Sequence, residues 1–167
     1  MKTLFLTAMT VVFLLCLTIG IQAQTTQTKL NQVELMKQFL GTWKGEMGKD
    51  TAFVMEIKSF YNGFESYLKT ETKGKIVIEE KTIMGYDKKS DKLIESGLMN
   101  SNPYIITWVN WFSSSNKMEA VLLEDMSNPE KANLKWTFEL PSPDLLVWTN
   151  IVNSKKTGTY TFHRETK

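Results

Sequence analysis

The stretch Gly41-Thr42-Trp43-Lys44-Gly45-Glu46 decides the fold of this chain. It alternates the charged side chains of Lys44 and Glu46 with the large indole of Trp43, and such alternation is typical of a strand with one face in a core. A helical period precedes it over residues 30–40. The first glycine of the stretch ends that helix. We therefore predict that one short helix leads directly into β-structure.

The sequence beyond this stretch keeps a strand-and-turn pattern as far as residue 165. Ten segments of strand length are separated by clusters of Gly, Asn, Asp, Ser and Pro, which are the residues that favour turns. Strands that recur about every 12 residues with short links favour an antiparallel meander over parallel βαβ units. The predicted fold class is all-β, a single up-and-down antiparallel β-barrel of about ten strands with one short N-terminal helix.

The N-terminal residues have the features of a secretory signal peptide. Lys2 is followed by an uncharged apolar run, Leu4 to Ile21, and Ala23 offers a small residue for cleavage. The sequence therefore predicts a signal peptide at 1–23, a disordered segment at 24–29 and the barrel domain at 30–167. The large Leu15 before Cys16 does not suit lipid attachment, so we expect a secreted or periplasmic protein.

Composition narrows the possible functions of residues 24–167, which follow the predicted signal peptide. Cys16 is the only cysteine, so residues 24–167 can form no disulfide, thiolate metal site or thiol nucleophile. Their net charge is close to zero, which gives no reason to expect a nucleic-acid partner. No apolar run after residue 23 is long enough for stable membrane insertion by a helix. The oligomeric state is left open.

Strand alternation predicts which side chains face the barrel interior. Lys and Glu mark the outer face of several strands, and the residues between them turn inward. This places Ile76 inside, together with most of the side chains that we predict to bind a ligand. The tryptophans of Tyr104–Phe112 and Leu145–Val152 cannot be assigned to the inner or the outer face of the barrel, because both faces of these strands are apolar. The candidate ligand-binding residues are Phe53, Met55, Phe64, Leu68, Ile78, Glu80, Met84, Trp108 and Trp136.

Glu80 is the one carboxylate that alternation turns inward. Its neighbour Glu79 faces the other way, so the two cannot share a site. A buried carboxyl without a partner has a raised pKa and could orient a polar group of a ligand. The alternative is that Glu80 lies in water at the barrel mouth or that the strand register is shifted.

No arrangement in the sequence predicts catalysis. His163 is the only histidine, and the sequence contains no nucleophile elbow, calcium loop or glycine-rich phosphate loop. We therefore expect no enzymatic activity, no metal site and no cofactor.

The Gly41-Thr42-Trp43 motif and Arg164, the only arginine, resemble the calycin superfamily of lipocalins, fatty-acid-binding proteins and nitrobindin-like barrels. The resemblance implies that Arg164 packs across Trp43 as a structural plug of the barrel floor. Only Gly48-Lys49-Asp50 separates the first two strands, so the lids of the first two families are missing. With Gly85-Tyr86-Asp87 after the fourth strand, the chain looks most similar to secreted lipocalin-like proteins of unknown function.

The residue pattern and the resemblance together lead to three functional hypotheses. The leading one is a secreted barrel that binds a small hydrophobic or amphipathic ligand in its interior. The first alternative is a protein-interaction or inhibitor module that uses an outer barrel face, where either Trp108 or Trp111 would lie. The second alternative is a nitrobindin-like haem protein. The histidine that binds haem in that family would fall near Thr157, which is not a histidine. Alternation turns the only histidine, His163, to the outer face.

Overall fold

The structure is a computed structural model that describes residues 29–46 and 48–166. The predicted signal peptide at 1–23, and the predicted disordered segment except for Lys29, lie outside the described residues. None of the described helices has the length and apolarity needed to cross a bilayer.

Ten antiparallel strands close into a barrel, and one short helix precedes them. Helix α1 (Gln32–Met36) continues into a 3₁₀ turn (Lys37–Phe39). The strands are β1 (Gly41–Glu46), β2 (Thr51–Phe60), β3 (Gly63–Thr72), β4 (Lys75–Asp87), β5 (Lys92–Met99), β6 (Asn102–Ser114), β7 (Lys117–Leu122), β8 (Leu134–Ser142), β9 (Leu145–Val152) and β10 (Lys155–Arg164). Each strand pairs with its sequence neighbours, and β1 pairs with β10. The predicted fold class is confirmed.

Gly41 joins the helical segment to the first strand. Its φ of 123° is in the region that favours glycine. A Cβ atom at this position would lie 2.9 Å from Nη1 of Arg164. Glycine is therefore needed here both for the backbone turn and for the arginine that packs against it.

Trp43 and Arg164 form the floor of the barrel. The Trp43 side chain is fully buried, and its Nε1 donates to the carbonyl oxygen of Phe39 at 2.8 Å. The guanidinium carbon of Arg164 lies 4.1 Å from the centroid of the indole, within the range of a cation–π contact. The guanidinium also donates to the carbonyl oxygens of Gln38, at 2.8 Å, and Leu40. One arginine thus ties the last strand to the residues before the first.

Gln32 ties the helix to the opposite wall. The β6–β7 register shifts between Phe112 and Ser114, at the place where the buried Gln32 side chain meets β6. Its Oε1 accepts from the backbone nitrogen of Phe112 at 2.6 Å, and its Nε2 donates to the carbonyl oxygen of the same residue at 3.4 Å. The amide thereby supplies two hydrogen bonds to backbone groups in the barrel interior.

The prediction that Ile76 faces inward is wrong. The β3–β4 register shifts between Thr70 and Glu71, so that Thr70 pairs with Ile78 but Glu71 pairs with Ile76. The extra residue on β4 is a β-bulge, which reverses the side-chain alternation beyond it. Ile76 is therefore 49% exposed.

The floor contact predicts a specific loss of stability. In Arg164→Lys the charge stays but the planar fork that reaches several carbonyl oxygens is lost. We expect the free energy of unfolding in urea to fall by about 1–3 kcal/mol. Lys155→Ala, at the exposed opposite end of β10, is the control and should change it little. Equal stability of Arg164→Lys and the wild type would contradict this role.

Candidate functional site

A cavity of about 200 Å³ lies in the barrel interior. Met36 and Phe39, from the helical segment, form its lower end. All nine residues predicted to bind a ligand line it, namely Phe53, Met55, Phe64, Leu68, Ile78, Glu80, Met84, Trp108 and Trp136. The structure thus brings the predicted residues together around one space, and their binding of a ligand stays a prediction.

One wall of the cavity is aromatic. Trp108 on β6 stacks on Trp136 on β8, with ring centroids 3.6 Å apart and an interplanar angle of 25°. The intervening strand contributes Ala120, which pairs with Trp136 and has too small a side chain to separate the two indoles. Trp148 on β9 meets Trp136 edge to face at 5.0 Å. Its strand is apolar on both faces, so alternation could not identify it as a lining residue.

Glu80 on β4 is 9% exposed and lines the cavity. Among the described residues it has no hydrogen-bond or ion-pair partner for its carboxyl. Burial, and secondly the neighbouring charge of Glu95, raise the pKa of Glu80 from 4.5 to about 7. Glu80 therefore changes its charge near neutral pH.

The prediction that Glu80 is the one inward carboxylate is wrong, because Glu95 on β5 also lines the cavity. Its Oε1 accepts from the hydroxyl of Thr82 at 2.6 Å, and its Oε2 accepts from the side-chain nitrogen of Asn110 at 3.2 Å. Burial raises the pKa of Glu95, and these two hydrogen bonds oppose the shift. The neighbours of Glu95 on β5, Ile94 and Ser96, carry no charge that would mark the outer face of the strand beside it.

Gly97 makes room for the polar groups. It pairs with Thr82, and a Cβ atom at Gly97 would lie 2.5 Å from the methyl carbon of that threonine. Without a side chain on β5 at this point, the Thr82 hydroxyl reaches both Glu95 and Ser66, whose Oγ is 2.8 Å away. The polar groups of β3, β4, β5 and β6 thus form one connected wall.

Two acidic side chains of the described cavity wall have no basic partner. None of the residues that line it is a lysine, an arginine or a histidine. A third lining glutamate, Glu65, forms an ion pair of 3.1 Å with Lys81, an exposed residue of the outer face. Glu80 and Glu95 therefore have no cation beside them within the described cavity. Across residues 29–46 and 48–166, no group of three or more His, Cys, Asp or Glu side chains could hold a metal ion.

The outer wall carries the other tryptophan of β6. Trp111 lies under Lys92, whose Nζ is 3.9 Å from the ring centroid, and Lys135 lies at 5.9 Å. A group of exposed apolar side chains lies on one rim of the barrel, where β4 begins, β5 ends and β6 begins. These are Ile76, Val77, Leu98, Tyr104 and Ile105.

His163 lies outside the cavity. It is exposed, it pairs with Lys44 across the β1–β10 ladder, and it lines an open groove on the outer wall between β10, β1 and β2. Thr157, where the resemblance to nitrobindin places the haem ligand, is also exposed. The residues of the cavity therefore do not offer haem a histidine ligand.

Comparisons with known proteins add little to this description. No family model matches the chain, and no curated protein matches it. Among solved structures, a redesigned β-barrel is similar to 84% of this chain over 100% of its own length, with 13% sequence identity and a TM-score of 0.34. The resemblance to the calycin superfamily stays an interpretation of the sequence.

The burial of Glu80 predicts a pH-dependent stability. A carboxyl whose folded pKa is raised contributes stability that is present below its unfolded pKa and is lost as the pH rises through the folded value. We expect Glu80→Gln to gain stability relative to the wild type between pH 5 and pH 8. Urea denaturation at several pH values measures this difference. The exposed control Glu46→Gln should show no such trend, and a constant difference for Glu80→Gln would refute the raised pKa.

Proposed function

We propose that the protein binds a small apolar or amphipathic molecule inside its barrel, and that it does so as a secreted, non-enzymatic member of the lipocalin-like proteins. The observation that carries this proposal is the division of the cavity wall. Polar groups lie on neighbouring strands β3 to β6, the packed indoles lie on β6, β8 and β9, and other apolar side chains, among them Phe53 and Phe64, line the rest. Few convergent polar groups in an otherwise apolar pocket are typical of small-molecule sites.

The size of the cavity limits the ligand. An apolar cavity of about 150 Å³ can hold benzene, and the present cavity of about 200 Å³ is only slightly larger. A molecule of about one aromatic ring with a short substituent therefore fits without movement of the strands. The five methionines among the lining residues (Met36, Met55, Met84, Met99 and Met118) could adapt to its shape because their side chains are unbranched and flexible.

The sequence supports the remaining parts of the proposal. Residues 1–23 have the pattern of a cleavable signal, which supports export. The only histidine lies on the outer wall, which argues against a Ser–His or haem chemistry in the cavity.

Removal of one stacked indole tests the site. Trp136→Ala should weaken the binding of toluene, a neutral molecule of one ring, by about tenfold, since an aromatic contact contributes about 0.5–1.5 kcal/mol beyond its buried area. Calorimetry measures the affinity, and circular dichroism checks the fold. Trp111→Ala, on the outer wall, is the matched control and should bind like the wild type. Equal losses in both variants, or no binding to the wild type, would count against the proposal.

The exposed rim favours a second candidate, a protein-interaction module. Apolar side chains on adjacent strands are typical of contact surfaces, and Ile105 is 68% exposed and Leu98 54% exposed. If this surface associates, light scattering should find wild-type oligomers under conditions in which Ile105→Lys is monomeric. A wild type that is monomeric at all concentrations would rule out self-association through the rim.

A further inference from the structure

We infer that the ligand of the cavity is a small aromatic or alkyl amine, whose ammonium group is bound by Glu80 and Glu95 and whose apolar part lies on the tryptophan wall. This inference rests on the proposed function and names the chemical class of the molecule that the same cavity takes. Four features of the described residues support it.

The first feature is the unpartnered carboxyl of Glu80. Its side chain lines the cavity and is about nine-tenths buried, and no described residue donates to it. Burying an ionised group without a partner is unfavourable. A donor on a ligand in the cavity would remove this cost, and a positively charged donor would remove most of it.

The second feature is the orientation of Glu95. Thr82 and Asn110 each donate to one of its oxygens, which fixes the carboxylate on β5 beside the strand that carries Glu80. Each carboxylate oxygen has two acceptor sites, so both oxygens of Glu95 can still accept from a ligand. The charge of Glu95 acts on Glu80 within the same cavity, so an ammonium group placed between them is attracted to both carboxyls.

The third feature is the charge balance of the wall. The two glutamates lie without a basic side chain among the residues that line the cavity, and Glu65 is already paired with Lys81. An anionic ligand would bring a further negative charge to this wall. A cationic ligand supplies the missing charge.

The fourth feature is the aromatic wall, which begins beside Glu95, because Trp108 pairs with Glu95 across the β5–β6 ladder. The stacked pair of Trp108 and Trp136, with Trp148 at their edge, offers apolar area for a ring or a short chain. Indole faces also attract cations, so this wall tolerates the charged end of the ligand as well as its apolar end. An amine of about one ring in size satisfies both walls within about 200 Å³.

A series of three probes that differ only in the end group tests this inference. The probes are 2-phenylethylamine, 2-phenylethanol and phenylacetate, and calorimetry at pH 7.5 gives their affinities. We expect the amine to bind at least about tenfold more tightly than the alcohol, and phenylacetate to bind most weakly. Glu80→Gln should remove the preference for the amine and keep the affinity for the alcohol. Glu79→Gln, whose carboxyl is bonded to the Tyr67 hydroxyl, is the matched control on the same strand and should keep the preference.

Proton release gives a second readout that needs no variant. The groups that face Glu80 across the strand ladders are Leu68 on β3 and Met99 on β5, so Glu95 is the one titratable side chain that acts on it from within the described cavity. Binding of an ammonium group should displace a proton from the carboxyl pair. At pH 6.5 the binding heat of the amine should therefore depend on the ionisation heat of the buffer, whereas that of the alcohol should not.

The outcomes separate the inference from the proposed function. If the alcohol or phenylacetate binds as tightly as the amine, or if Glu80→Gln keeps the preference in full, the inference is overturned and the proposed function stands. The inference also fails if toluene binds and none of the three probes does. If neither toluene nor any probe binds, the proposed function fails with it.

Discussion

The contact between Arg164 and Trp43 is the constraint on which the rest of the structure depends. The barrel closes between β1 and β10 through three register pairs, against six between β1 and β2, and one of the three joins these two residues. So short a ladder contributes few backbone hydrogen bonds. The guanidinium adds a cation–π contact and charge-assisted hydrogen bonds to carbonyl oxygens that precede β1. Barrel closure and the position of the helical segment are therefore fixed together.

The floor in turn leaves space for the cavity. Gln32 bonds both backbone groups of Phe112, and Phe39 packs edge to face on the ring of the same residue at 5.8 Å. The helical segment therefore fills only the lower end of the barrel. Above it, ten strands enclose more volume than their inward side chains occupy. This interior accepts two carboxyl groups without a cation, an arrangement that lowers stability and is typical of functional sites.

Much of the cavity wall could be predicted from the sequence, and the failures have a common physical cause. Lysines and glutamates mark the outer face of β2, β3, β4 and β8, so the period of two identifies the inward residues of these strands. On β9 both faces are apolar, and on β5 the neighbours of Glu95 carry no charge, so alternation missed Glu95 and Trp148. The bulge before Ile78 reversed the predicted direction of Ile76, because a bulge is set by strand pairing and carries no composition signal of its own.

The sequence by itself determined a short helix and ten strands, and its resemblance to the calycin superfamily implied the pairing of Trp43 with Arg164. The helix and the strands are local features, because they depend on turn residues, on helical spacing and on the period of two. The tertiary structure alone decided that Glu80 and Glu95 share a wall and that Trp108 and Trp136 stack across Ala120. Those contacts join residues on different strands, and strand register and barrel closure determine which of them meet.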